Sequence, residues 1–429
     1  MTLALIVLSV GGLLAAMAIV HVLAKRYAWP AETQRKCVHV ATGLYALTLP
    51  LTFREAWPVL LLCSMSVFVM AIMRIPAFAQ SRIGSTIHSV ERKSYGEILL
   101  AVAVGFIFFR SLGHPVLFVL PILVLTFSDA AAALTGVRYG RRLFAVEDGE
   151  KSLEGTAMFF LITVIIAMIV LLVMTDVPRV SVILLAFVVA AFGAQLEAES
   201  WRGFDNLFVP VGLHLFLQNH LATPPAGLFV EAVMFLGLLA SLIWLAPFLG
   251  LTRHAARSYG VLAFLILSVT APHNAVLPLS AFAAFLVVRR VRPCRSTYPD
   301  LDFLATMAGT AAFWLFAGEL TGNNAINLYN LTFAGVAAVF IVIACERRAA
   351  IALPLIALLG AAVVAIVPLN AGDAQWVQPF APWVAAALAL SVSAAWMRPD
   401  SFDRYRSPRA FAVALIVPAI LFCVKSLSP

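Results

Sequence analysis

Apolar stretches long enough to cross a bilayer recur along the whole of this 429-residue chain, and that recurrence restricts its fold more than any other feature. They come roughly every 20 to 30 residues, close to the ~20 a helix needs to span hydrocarbon. Ala, Leu, Val and Phe dominate them without period-two alternation, so helices fit and a β-barrel does not. Crossings are predicted near 2–24, 37–53, 57–73, 97–112, 116–135, 156–174, 180–197, 207–220, 226–249, 259–288 (a hairpin), 303–317, 331–345, 349–369, 379–396 and 410–426. With 62% hydrophobic residues and 12% charged, and a mean hydropathy of +0.99, no water-facing surface can be assembled. The expected fold is all-α, a polytopic integral membrane protein with about 14–16 transmembrane helices. The first run has its charges after the apolar core and no small-residue cleavage site, so it reads as a retained helix.

Charge then orients the helices. If the first runs inward, the loops near 25–36, 74–96, 136–155 and 198–206 hold 13 basic residues, against 3 on the opposite face. The positive-inside rule makes those loops cytoplasmic. The bias of the basic residues toward arginine suggests a bacterial source, hence a bacterial inner membrane. The net charge of +8 is a topology signal; nucleic-acid binding would require a basic domain outside the membrane, and none is found. Cys37, Cys63, Cys294, Cys345 and Cys423 have neither metal-ligand nor disulfide spacing.

The rule does not require acids, yet the same loops also hold most of the unusual polar residues of the first half: His39, Ser94, Glu97, Asp129, Lys151, Ser152, Glu154, Glu197, Glu199, Asp205 and Asn206. Cations, acids and small residues gathered at one membrane face suit a metal-bound phosphate compound. Arg35, His39 and Gly43 fall on one helix face with Lys36 beside it; the plain alternative is a pair of interfacial anchors. Glu97 reads best as a helix cap. Asp129 lies about two turns inside an apolar helix, where an ionisable group is expensive. Gly136 and Gly140 permit close helix contact, and Arg138, Arg141 and Arg142 follow. A carboxylate can hold Mg²⁺ while arginines grip the phosphates it bridges. Lys151, Ser152 and Glu154 precede a helix predicted to start near Thr156, as anion site or as capping pattern. Glu197, Glu199, Asp205 and Asn206 complete a metal site or form a solvated loop.

Taken together, Arg-Lys-x-x-His-x-x-x-Gly at 35–43, Ser-Tyr-Gly-Glu at 94–97, Asp-x-x-Ala-x-x-x-Gly-x-x-x-Gly at 129–140, Lys-Ser-x-Glu-Gly-Thr at 151–156 and Asp-Asn-Leu-x-Val-Pro at 205–210 resemble the ordered motifs of the polyprenol kinase family, which includes dolichol kinase, phytol kinase and CTP-dependent diacylglycerol kinase. The resemblance covers residues 20–218. It implies CTP as phosphoryl donor, Mg²⁺ as metal and a long-chain isoprenoid or other lipid alcohol as acceptor. Under it, Arg35, Lys36, Arg138, Arg141 and Lys151, with Ser152, Gly136 and Gly140, would cradle the nucleotide. Asp129, with Glu154 or Asp205, would hold the metal, and His39 or Asp129 would take the hydroxyl proton. Glu97, Asn206 and Glu197 would support the site. Residues 1–220 are then the catalytic domain and 221–429 a second helical membrane domain, accessory or degenerate. The stretch 295–316 resembles part of the phytyl-phosphate kinase relatives, but the acidic motif of that group is missing near 340–348. Two rivals stand beside the kinase. A CTP-dependent cytidylyltransferase would need the same cations, and a small-molecule transporter would need midplane charges and paired interrupted helices.

Overall fold

The computed structural model describes residues 2–72, 95–146, 149–346, 348–372 and 380–427. Among these residues, ten helices are long and apolar enough to cross a membrane, and two more are apolar but shorter, Ala56–Ile72 and Ala381–Met397. The chain is an integral membrane protein of helices, as expected. The reason is local: inside hydrocarbon each backbone N–H and C=O must be paired within its own segment. Helices Ala31–Thr52, Gly96–Arg110 and Asp205–His220 lie outside both groups, and they carry much of the polar cluster.

The chain divides into two compact units, Met1–Leu242 and Ile243–Pro429. The first comprises α1 (Thr2–Arg26), α2 (Ala31–Thr52), α3 (Ala56–Ile72), α4 (Gly96–Arg110), α5 (Val116–Leu123), a π-helical turn (Val124–Ser128), α6 (Asp129–Tyr139), strands β1 (Leu143–Val146) and β2 (Gly149–Ser152), α7 (Leu153–Met174), α8 (Arg179–Glu199), α9 (Asp205–His220) and most of α10 (Pro225–Leu249). Its core lies where α5, α7, α8 and α9 meet, with Phe118, Leu120, Phe159, Leu185, Phe192 and Phe216 fully buried. Because the helices alternate in direction, the start of α2, the end of α6, the hairpin, the end of α8 and the start of α9 share one end of the unit.

Two local features differ from the sequence reading. The segment read as a plain loop forms an antiparallel β1–β2 hairpin, with Leu143 opposite Ser152 and Val146 opposite Gly149. α7 also starts at Leu153, earlier than Thr156, because Ser152 adopts extended backbone and its Oγ accepts the Gly155 N–H at 3.1 Å.

The second unit contains α11 (Arg253–Val269), α12 (Val276–Val291), α13 (Pro299–Thr321), α14 (Ile326–Ala344), α15 (Ala349–Ile366), α16 (Ala381–Met397) and α17 (Arg406–Leu427). α14 is its axis: Leu328, Phe333, Val336, Ala337 and Phe340 are all fully buried.

Candidate active site

α2 presents Lys36, His39 and Gly43 to the π turn and α6, a face spaced i, i+3, i+7. Lys36 Nζ donates to Asp129 Oδ2 at 2.6 Å, and both side chains are about 4% exposed. His39 Nε2 stands 3.4 Å from the same oxygen and 3.0 Å from the Leu125 carbonyl. A carbonyl oxygen only accepts, so the proton sits on Nε2 and leaves Nδ1 as the accepting nitrogen of the neutral ring. A Cβ on Gly43 would collide with the Thr126 hydroxyl, so only glycine lets α2 approach the π turn this closely.

The π turn is what aims Asp129. Pro121, inside α5, brings no N–H to the ladder, and the helix widens just beyond it over Val124–Ser128. Ser128 and Thr163 of α7 pin the turn through a buried hydroxyl pair, Oγ to Oγ1 at 2.9 Å. Sequence reasoning passed over this pair; two hydroxyls among apolar neighbours were the available signal.

A second ion pair lies within electrostatic reach. Lys151 Nζ, on β2, donates to Glu197 Oε1 at 2.6 Å and to the Glu197 carbonyl at the end of α8. Burial alone would lower the lysine's pKa, but the carboxylates of Glu197, Asp205 and Asp129 outweigh it and raise the value. Asp205, on the first turn of α9, acts at a distance on both Lys151 and Arg35. The structure therefore gathers Lys36, His39, Asp129, Lys151, Glu197 and Asp205 around one end of the first unit.

The other expected residues make the following contacts. Arg35 pairs with Glu32 at 2.6 Å and acts on Asp129 and Asp205 only at a distance. Ser152, expected to touch a nucleotide, caps α7. Gly136 and Gly140 face it: a Cβ on Gly136 would stand 3.0 Å from Ser152 Oγ. Glu154, expected on a metal, accepts the backbone N–H groups of Arg141 and Arg142 at 3.1 and 3.2 Å and so holds the mouth of the hairpin. Arg138, Arg141 and Arg142 are exposed, Arg138 lying over the Tyr139 ring at 5.4 Å. Glu97 is exposed on the first turn of α4, while Asn206 is buried on that of α9. Ser94, with Arg74, Arg82, Arg92 and Lys93, lies outside the described residues.

Among the described residues, no three His, Cys, Asp or Glu side chains come together as a ready-made metal cage. Of the acids expected to hold a metal, Asp129 with Glu154 or Asp205, Glu154 accepts two backbone N–H groups of the hairpin and Asp129 accepts Lys36. The remaining donors still suit Mg²⁺, which is commonly bound through one or two carboxylates plus the substrate's phosphates and not by an all-protein cage.

Phytol kinase from Synechocystis sp. is 34% identical to this chain over 187 residues, a stretch that spans 43% of the chain and 77% of that relative. No protein-family model matches the chain. No solved structure matches it either.

Proposed function

The chain belongs to the polyprenol and phytol kinase family, and from that premise we propose that it moves the terminal phosphoryl group of a nucleoside triphosphate onto the hydroxyl of a membrane-embedded prenol-type alcohol. The observation that carries this reading is the buried Lys36–Asp129–His39 cluster with Lys151–Glu197 beside it. CTP as donor, Mg²⁺ as metal and the cytoplasmic face of a bacterial inner membrane complete the proposal.

Phosphoryl transfer needs positioning and charge neutralisation more than a covalent nucleophile. The exposed Arg138, Arg141 and Arg142 meet the triphosphate first, as a cluster at the rim. Lys151, held protonated by Glu197, supplies a fixed positive charge behind them. Asp129 and Asp205 would hold Mg²⁺, which would supply positive charge to offset that of the triphosphate. The lipid hydroxyl attacks the γ-phosphorus in line, the bond to the β-phosphate oxygen breaks, and His39 Nδ1 takes the hydroxyl proton. Asp129 is less suited as base because Lys36 already occupies its Oδ2. All these residues lie in the first unit, which is consistent with catalysis in 1–220 and an accessory role for 221–429.

The test uses the full-length protein in detergent with γ-labelled CTP, Mg²⁺ and a panel of phytol, geranylgeraniol, undecaprenol and diacylglycerol. Label transferred to an alcohol, with CDP released, is the expected result. Release of pyrophosphate would turn the assignment to a cytidylyltransferase, and no turnover with any alcohol or nucleotide would overturn it.

A further inference from the structure

In the second unit, Arg406 opens α17 with its side chain buried; only 2% of the residue is exposed. Its Nε donates to the Phe402 carbonyl at 3.2 Å, while Nη1 and Nη2 are buried without a hydrogen-bond partner among the described residues. A guanidinium cannot shed its charge, so such a group calls for a counter-ion. Asp300 accepts from Arg289 at 2.6 Å, Asp403 and Asp400 accept from Arg292 at 2.9 and 2.8 Å, and Asp302, which shares a cavity with Arg406, makes no hydrogen bond to it.

Arg406 lines a cavity of about 150 Å³ shared with Arg289, Cys294, Asp302 and Ser407. That volume admits several waters or one tetrahedral anion. Asp302 stands in the first turn of α13 and Ser407 in that of α17, so two helix N-termini bring their positive dipole ends to the same place. Water could satisfy the N–H groups of Arg406 but not its charge, and its planar fork matches an oxyanion. Asp302 narrows the choice further. Its carboxylate accepts only the Ser296 hydroxyl and would repel an anion lacking a proton. Hydrogen phosphate or a phosphate monoester carries both oxyanions for Arg406 and a P–OH to donate to Asp302.

We propose that this cavity is a binding site for a protonated phosphate group, either free phosphate or the monoester headgroup of a lipid, with Arg406 holding the oxyanions and Asp302 accepting the P–OH. It is independent of the site in the first unit.

The experiment follows thermal unfolding of the full-length protein in detergent against inorganic phosphate and against sulfate at equal ionic strength. A second arm uses nanodiscs containing either a long-chain alkyl monophosphate or the matching alcohol. Phosphate should raise the unfolding temperature saturably and sulfate should not; a shift with the alkyl monophosphate alone assigns the site to a lipid headgroup. Arg406→Met should weaken the response about ten- to a hundredfold and, without ligand, unfold no lower than wild type. Asp302→Asn should gain a response to sulfate, which keeps the proposal testable should the Arg406 variant fail to fold. Equal responses of wild type to sulfate and phosphate, an unchanged phosphate response in Arg406→Met, or no response to any phosphate compound would each overturn it.

Discussion

Lys36 Nζ and Asp129 Oδ2 lie 2.6 Å apart, 93 positions apart in sequence and almost wholly shielded from solvent. At such burial each charge depends on the other, since removing one partner leaves an uncompensated ion at a cost of about 3–5 kcal/mol. Asp129→Asn should therefore abolish transfer and also lower the unfolding temperature. Lys36→Met combined with Asp129→Leu should recover stability but not activity. Thermal unfolding beside a radiometric assay separates the two effects, and wild-type turnover in Asp129→Asn would leave the carboxylate a packing role alone.

His39 tests the proton transfer. Glutamine can still donate to the Leu125 carbonyl but has no basic nitrogen, so His39→Gln should keep the fold while kcat falls about 10²- to 10⁴-fold. An unchanged kcat assigns His39 to packing.

Ser152→Ala removes the cap of α7 and should cost about 1 kcal/mol of stability. The hydroxyl accepts the Gly155 N–H and keeps its own O–H to donate, so a nucleotide contact as well would show as a raised KM beside the lost stability. An unchanged KM leaves Ser152 with the cap alone.

Close contact between α6 and α7 depends on Gly155, where an added Cβ would stand 2.9 Å from the Ala132 carbonyl oxygen. Gly155→Ala should destabilise by about 1–3 kcal/mol. Gly309→Ala, with nothing within 4 Å, serves as the control and should be neutral or slightly stabilising. Equal unfolding temperatures for the two variants would contradict the packing described for α6 and α7.

Lys151 sets an alkaline limit. Its folded pKa is raised above the ordinary 10.5, since burial lowers it less than Glu197, Asp205 and Asp129 raise it. A raised basic group contributes stability that is complete below the unfolded pKa and is lost as pH climbs through the folded value. Wild-type stability should thus show no loss from Lys151 through neutral and mildly alkaline pH, its share declining only beyond 10.5. Lys151→Met should remove that part of the decline, measured by denaturation across alkaline buffers.

What the sequence determined by itself is what local physics controls. A long apolar segment must pair its own backbone groups in hydrocarbon, so the helices and the membrane habit were legible from composition and run length. The ordered motifs likewise marked which segments carry the ionic residues. Tertiary structure alone decided partnership. Arg35, not Lys36, had been placed on the His39 face, yet packing against the π turn turned Lys36 inward and left Arg35 with Glu32. Glu154 went to the hairpin backbone and Glu197 to Lys151, 46 positions away. Arg406 lies among loop charges in sequence, yet its Nη atoms meet no hydrogen-bond partner among the described residues. The reason is the same each time: helix periodicity limits which neighbours share a face, but which of two charges is desolvated, and beside what, depends on contacts between distant segments, where a shift of one residue exchanges a buried ion pair for a solvated one.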